Sequence, residues 1–382
     1  LVLDNESASE LTRFKTPWLV STCDWIDSMK RRAIVWLCET TGKSILKLTD
    51  EDYNKNGLSD LLALEGSSYD LNINMFNHFQ NTITGWPGGK PDADDSTRPE
   101  RKSPKSKRVI IFSPHPDDDV VSMGGTFDRL VSQGHEVHIA YQVKGNIAVS
   151  DHDALKFIEV SKDMFKNDSK VPVSELIKEL KNNKPDKIDS QAVRDLKGFI
   201  RKREAIAATR YIGIPDSNTH FMNLPFYDTG RIKKNPPTKK DILITASLIK
   251  KIKPHQIFAA GDLEDPHGTH KVCLDVILDA LDSLKGEKFI KDCWLWLYRG
   301  AWLDWDVHDI DMAVPMSPAQ VLRKRKAIFF HQTQKDGVMF QGQDLREFWV
   351  RAEERNSETA EKYKKMGLAD YAAIESFKRH YY

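Results

Sequence analysis

The chain has 382 residues, 40% of them hydrophobic, and its 57 Lys and Arg nearly balance 56 Asp and Glu to leave a net charge of +1. That balance argues against a nucleic-acid or anionic-membrane footprint, and no run reaches the roughly 18 apolar residues of a membrane span. The length accommodates two domains, or one large domain with extensions.

The first residues, Leu1-Val2-Leu3-Asp4, lack an initiator Met and the basic and apolar regions of a signal peptide, which points to a processed or truncated start. Cys23, Cys38, Cys273 and Cys293 form no Cys-x-x-Cys pair and read as reduced core thiols of a cytoplasmic protein. Trp25, Ile26, Met29, Ala33, Ile34 and Leu37 recur at helical spacing, with Gly42 as the stop, and a second helix is expected over Leu71–Phe79. Two short patterns here are decoys. Gly42-Lys43-Ser44 lacks the glycine five residues earlier, where Leu37 stands. Asp52-x-Asn54-x-Asn56-Gly57 has Ala63 where a calcium loop needs its bidentate Glu. Both are read as ordinary turns. Residues 1–86 thus form a small helical region, too short to stand alone and expected to pack on something else. Residues 87–107, rich in Pro, Gly and charge without periodicity, are read as a linker.

From 108 to 382 the pattern alternates. Strands are predicted over Arg108–Ser113, Glu136–Tyr141, Gln256–Ala260 and Phe289–Tyr298. Helices are predicted from Gly124-Gly125 to about Gln133, over Glu204–Ile212, over Asp241–Ile252, and from Thr269 to about Leu284. The stretch 151–200 is polar, Lys-rich and weakly helical, and reads as an insertion over a site. The tail from Pro318 is charged and mostly helical. No internal repeat is present. Short βα alternation predicts an α/β, Rossmann-like, doubly wound and mostly parallel sheet with helices on both faces, plus the small helical N-terminal region. Ligands of such sheets gather at the carboxyl ends of strands.

Val109-Ile110-Ile111-Phe112 ends abruptly in His115-Pro116-Asp117-Asp118-Asp119. Buried carboxylates are costly unless paired or metal-bound, and a divalent metal is the simplest reason for such a cluster. His115 and Asp118, three apart, face one way and leave Asp117 as a free base. A second cluster, His267 and His270, follows Gln256–Ala260. Two strand ends meeting would give three protein ligands and an open position, the pattern of catalytic zinc; iron(II) or cobalt suits the same nitrogen and oxygen donors. Around Trp294, Trp296, Trp302 and Trp305 a sugar-stacking surface competes with a core face, and alternation favours the core.

The block Pro114-His115-Pro116-Asp117-Asp118, then Gly124-Gly125, Gly134-His135-Glu136-Val137, Arg201-x-x-Glu204 ahead of Ile212-Gly213-Ile214, and His267-x-x-His270 resembles the LmbE/PIG-L zinc-dependent de-N-acetylases over roughly 108–334. Asp119 departs from the Glu usual there, and 151–200 departs in length. The resemblance implies one zinc on His115, Asp118 and His270, with Asp117 as general base. It implies that His267 stabilises the oxyanion or protonates the leaving amine, and that Arg201, Glu204 and Asp228 contact substrate. For Arg201 and Glu204 the competing reading is a helix-surface ion pair, and for Asp228 a turn residue before Gly230. Ala8-Ser9-Glu10-Leu11-Thr12-Arg13-Phe14-Lys15-Thr16 resembles the closing segment of a glucosamine-6-phosphate deaminase domain, as in bacterial fusions of such a domain to a de-N-acetylase. That implies a small N-acetylated amino sugar as substrate, with or without phosphate, and no deaminase activity in this segment. Homo-oligomerisation stays open. Two other classes compete. A non-catalytic sugar-binding or regulatory module would keep the fold without turnover. A nucleotide-binding domain is disfavoured, because Asp117-Asp118-Asp119 would repel phosphate where a glycine-rich loop belongs.

Overall fold

The computed structural model describes residues 25–90, 103–164, 173–183, 188–231, 234–263, 268–300, 303–336 and 346–382. The chain divides into two compact units. One holds the described residues up to Ile83 with Asp306–Ile310 and Ala360–Asp370, and the other holds the rest. The N-terminal helical region is therefore completed by two pieces of later chain, which sequence periodicity does not reveal.

In this first unit, helix α1 (Asp27–Thr41) buries Ala33, Ile34 and Leu37 and ends at Gly42, whose φ of 67° suits a residue without Cβ. Helices α2 (Asp50–Lys55), α3 (Ser59–Glu65) and α4 (Ser68–Thr82) follow. The calcium-like run is a turn only at Asn56-Gly57; its first part lies in α2. Asp52 is its third residue, closing a capping box with Thr49 and bonding Lys43 Nζ at 2.7 Å. Tyr53 is fully buried and donates to Asn72 Oδ1 at 2.6 Å, while Asn72 Nδ2 donates to the Leu48 carbonyl.

The second unit is built on one seven-stranded sheet. In chain order its elements are β1 (Arg108–Ser113), α5 (Asp118–Ser132), β2 (Glu136–Tyr141), α6 (Asp151–Met164), α7 (Val173–Lys181), α8 (Gln191–Ile212), β3 (Thr219–Phe221) and α9 (Lys239–Ile252). They continue with β4 (Gln256–Ala260), α10 (Thr269–Ser283), β5 (Trp294–Tyr298), β6 (Met312–Met316), α11 (Pro318–Ile328), α12 (Phe348–Lys365, whose residues from Ala360 on belong to the first unit) and β7 (Ala373–His380). The strand order is β3-β2-β1-β4-β5-β7-β6. The first five strands are parallel, and β7 runs antiparallel to both β5 and β6. Val109, Ile111, Val137, Ile139, Phe258 and Trp296 point into the layer of α5, α8 and α11. Ile110, Phe112, Ile257 and Ala259 are equally buried on the other face, where α9 and α10 pack together. A sheet buried on both faces explains the continuous apolar runs read as strands.

Several elements differ from the sequence reading, among them β3 (Thr219–Phe221), which it did not contain. Helix α5 opens at Asp118 rather than Gly124, because it is two helical pieces joined at Met123 (φ −137°, ψ 27°). At that kink the Glu375 carboxylate accepts from Gly125 N at 2.9 Å and Thr126 N at 2.6 Å, a cap supplied from β7. A Cβ on Gly125 would lie 2.2 Å from Met316 Sδ, so any side chain there would force the buried Met316 to shift. Helix α8 begins at Gln191, not Glu204. Its early apolar positions Val193 and Ile200 belong to a small core with α6 and α7, and its later ones to the main core, so no single stripe runs along it. The first part of Phe289–Tyr298 is a 3-10 turn, Lys288–Asp292. The tail also holds a strand, β7. Pro315 is tolerated in β6 because that strand is an edge.

Candidate active site

Strand β1 has β2 on one side and β4 on the other, so the chain order reverses across β1 and β4. Their carboxyl ends form the crevice where open α/β sheets bind ligands. The residues after β1 and the first turn of α10 meet there. His115 Nδ1 lies 3.2 Å and His270 Nε2 3.3 Å from the same oxygen, Asp118 Oδ2. His115, Asp118 and His270 form a group able to hold a metal ion, with ligand atoms within 4.8 Å of one another. The donor set fits such an ion. His270 Nδ1 is 2.8 Å from the Asp262 carbonyl, which only accepts, so Nδ1 carries the proton and Nε2 keeps its lone pair for a metal. Burial opposes ionisation of Asp118, but His270 and His115 outweigh it and hold the carboxyl well below the usual range.

Local bonds shape the turn that carries these groups. Ser113 Oγ donates to the His115 carbonyl at 2.5 Å and accepts from Asp119 N at 3.1 Å, clamping the turn beneath the strand end. His115 N donates to Asp118 Oδ2 at 2.8 Å, which fixes the ligand carboxylate from its own backbone. Asp119 is fully buried, and its Oδ2 accepts from Tyr141 OH at 2.9 Å. Burial pushes its carboxyl up to about 7 even though the Tyr141 bond acts against it. It supports the turn rather than facing outward.

Asp117 is buried, and its Oδ1 accepts from Arg201 Nη2 at 2.8 Å. Arg201 is therefore no surface residue. It is 1% exposed, and although burial disfavours its charge, Asp117 and Glu204 raise its pKa. Gly145 roofs this pair. Its φ is 63°, and a Cβ there would lie 2.9 Å from Pro116 Cδ and 3.1 Å from Arg201 Nε. Glu204 is also buried. Its two oxygens accept from Thr333 N and Thr333 Oγ1, each at 2.8 Å, tying the segment after α11 to α8. Burial pushes its carboxyl up against the pull of Arg201. Asp228 is exposed, one residue past a short 3-10 turn, Pro225–Tyr227. His267 lies outside the described residues, as does Trp302. Of the other tryptophans, Trp296 and Trp305 are buried and Trp294 lies under the Arg379 guanidinium at 3.2 Å.

Sequence reasoning did not single out several neighbours. Tyr227 is buried with its ring 6.3 Å from that of His115. His331 is 1% exposed, and neither ring nitrogen has a hydrogen-bond partner among the described residues. Burial first, and the Arg201 charge second, lower its pKa to about 3. Asp262 lies two residues past β4, and that position was its one available signal. Tyr227 and His331 reach the site through loops whose path no periodicity encodes.

Residues 110–281 match the family PIG-L: GlcNAc-PI de-N-acetylase. A glucosamine-6-phosphate deaminase-like protein of Bacteroides thetaiotaomicron is 52% identical over 99% of this chain; the chain spans 58% of that protein's length. Among solved structures, N,N'-diacetylchitobiose deacetylase from Pyrococcus horikoshii is 18% identical, with 72% of this chain and 84% of that chain covered and a TM-score of 0.45. The 4-carboxy-2-hydroxymuconate hydratase from Pseudomonas putida is 15% identical, with 72% and 97% covered and a TM-score of 0.44.

Proposed function

We propose, from the match of residues 110–281 to the PIG-L, GlcNAc-PI de-N-acetylase, family, that this chain is a metal-dependent hydrolase that removes the N-acetyl group from an N-acetylglucosamine-type amino sugar. The observation that carries the reading is a three-ligand group, His115, Asp118 and His270, beside a buried acid, Asp117, gripped by an arginine. Zinc suits two imidazoles and one carboxylate without thiolate, and iron(II) or cobalt could take the same place. When bound, the ion supplies Lewis acidity to a water and to the acyl oxygen, taking the water's pKa towards about 7.

The chain's own residues do the rest. Asp117 accepts the proton of the attacking water, and Arg201, donating to its Oδ1, keeps it aimed. The water oxygen bonds to the acetamide carbon, the carbon–nitrogen bond breaks, and the nitrogen takes a proton, giving acetate and a free amine. His267 is the proposed donor of that proton or of a hydrogen bond to the oxyanion. Glu204 acts at one remove, by anchoring Thr333, and Asp228 is the proposed contact to substrate at the rim.

The test is metal analysis with an acetate-release screen over N-acetyl amino sugars. The expected result is about one zinc per chain and acetate from an N-acetylglucosamine-type sugar. Sugar binding without acetate release under any divalent metal overturns the reading in favour of a non-catalytic module.

A further inference from the structure

A second pocket of about 240 Å³ adjoins the site at Pro116, the residue between His115 and Asp117. Phe199, Phe221, Lys144, Lys202 and Asn223 line it with Pro116. Nothing in the hydrolysis described above uses it. Its construction is specific. Met222 N donates to the Tyr141 carbonyl and Leu224 N to the Gln142 carbonyl, each at 2.9 Å, so three residues past β3 span two of the chain leaving β2. The surplus residue is Asn223, bulged out at φ 48° and exposed on the pocket wall. Bulges of this kind re-aim a side chain next to a site. Phe199 is 63% exposed although α8 could have turned it inward, and it stands with Phe221 as an aromatic wall.

The charge count leaves one cation over. Lys144 Nζ pairs with Asp195 Oδ1 at 3.2 Å, and Asp195, also on the wall, is thereby matched. Lys202 Nζ sits 4.8 Å from the centroid of the Phe221 ring and has no carboxylate partner among the described residues. We infer that this pocket receives a phosphate monoester carried by the amino sugar. The sugar's apolar face packs on Phe199 and Phe221, and the phosphate meets Lys202 and the Asn223 amide. This rests on the amino-sugar reading above and narrows it to an anionic substrate. An ammonium against a phosphate dianion is a charge-assisted contact, so a preference of about tenfold or more is expected.

The experiment uses the full chain with N-acetylglucosamine, its 1-phosphate and its 6-phosphate. It measures kcat/KM for acetate release and, by calorimetry, Kd. One of the two phosphates should exceed the neutral sugar by about tenfold in both readouts, and the favoured position shows which end of the ring enters the pocket. Lys202→Gln should bring that ratio close to one, and Phe199→Ala should weaken both phosphate and neutral sugar. Lys285→Gln, on the surface near the end of α10, should leave the ratio as it is. Equal values for all three sugars, or a phosphate preference that survives Lys202→Gln in protein with an unaltered melting curve, overturn the inference. If no sugar yields acetate, the hydrolase reading fails, and the calorimetric ratio still decides whether the pocket takes phosphate.

Discussion

Arg201 Nη2 donates to Asp117 Oδ1 across 2.8 Å, and both side chains are buried. Removing the cation leaves a carboxylate in the interior with no counter-charge. Breaking such a pair from one side costs about 3–5 kcal/mol, unlike an exposed ion pair. Arg201→Met should therefore lower unfolding stability by several kcal/mol in urea titration and depress turnover. Arg201→Lys keeps the charge but loses the planar fork, so it should fall between wild type and Met on both measures. Full stability in Arg201→Met would mean the pair does not hold the base.

Asp117 and Asp118 are adjacent in sequence but separated in task. Asp118 Oδ2 faces both histidines, whereas Asp117 faces Arg201. Asp117→Asn should keep the bound metal and lower kcat by about a hundredfold or more, the usual worth of a placed proton acceptor. Metal content by plasma emission and acetate release on one preparation check it. Loss of metal together with activity would place Asp117 among the ligands instead.

The ligand group can be tested without any substrate. An ion that binds only the folded chain raises its stability by about 2.7 kcal/mol at a hundredfold excess over Kd. Added zinc should raise the melting temperature of the wild type, and His270→Ala and Asp118→Asn should each abolish that rise. Asp228→Asn, on the exposed rim, should keep it. A zinc-induced rise that persists in His270→Ala would remove this group as the metal site.

Most of the parallel half of the fold was legible because its strands are buried on both faces and punctuated by glycine; β3, three half-buried residues, was not read. Arg108–Ser113, Glu136–Tyr141 and Gln256–Ala260 stand in the structure with the bounds read from sequence. The antiparallel edge was not. β7 carries Glu375, Lys378, Arg379 and His380, and Glu375 is fully buried for a reason no local pattern holds, the capping of a kink in α5. At the site, His115, Asp117, Asp118 and His270 were visible as charge at strand ends. The partnership of Arg201 with Asp117 needed α8 to begin a dozen residues earlier than its apolar pattern indicates. Glu204 was expected at the substrate, and its two bonds to Thr333 belong to a contact between segments far apart in sequence.

His331 sets an acid limit on stability. Buried beside the Arg201 charge, it stays neutral in the folded chain down to about pH 3, with the Asp118 carboxylate too weak an opposing influence to restore it. In the unfolded chain a histidine takes up its proton near 6.5. Between those values the unfolded state binds the extra proton, so acidification favours unfolding. The stabilisation is complete above about pH 6.5 and drains away as pH falls towards 3, by at most about 1.4 kcal/mol per pH unit. In chelator, to keep metal binding out of the measurement, wild-type unfolding free energy should fall between pH 7 and pH 5. His331→Gln cannot take the proton and should show a shallower fall over the same range in matched denaturant titrations. Equal slopes in the two proteins would show that His331 is not held neutral by its surroundings, and that other buried groups carry the acid sensitivity.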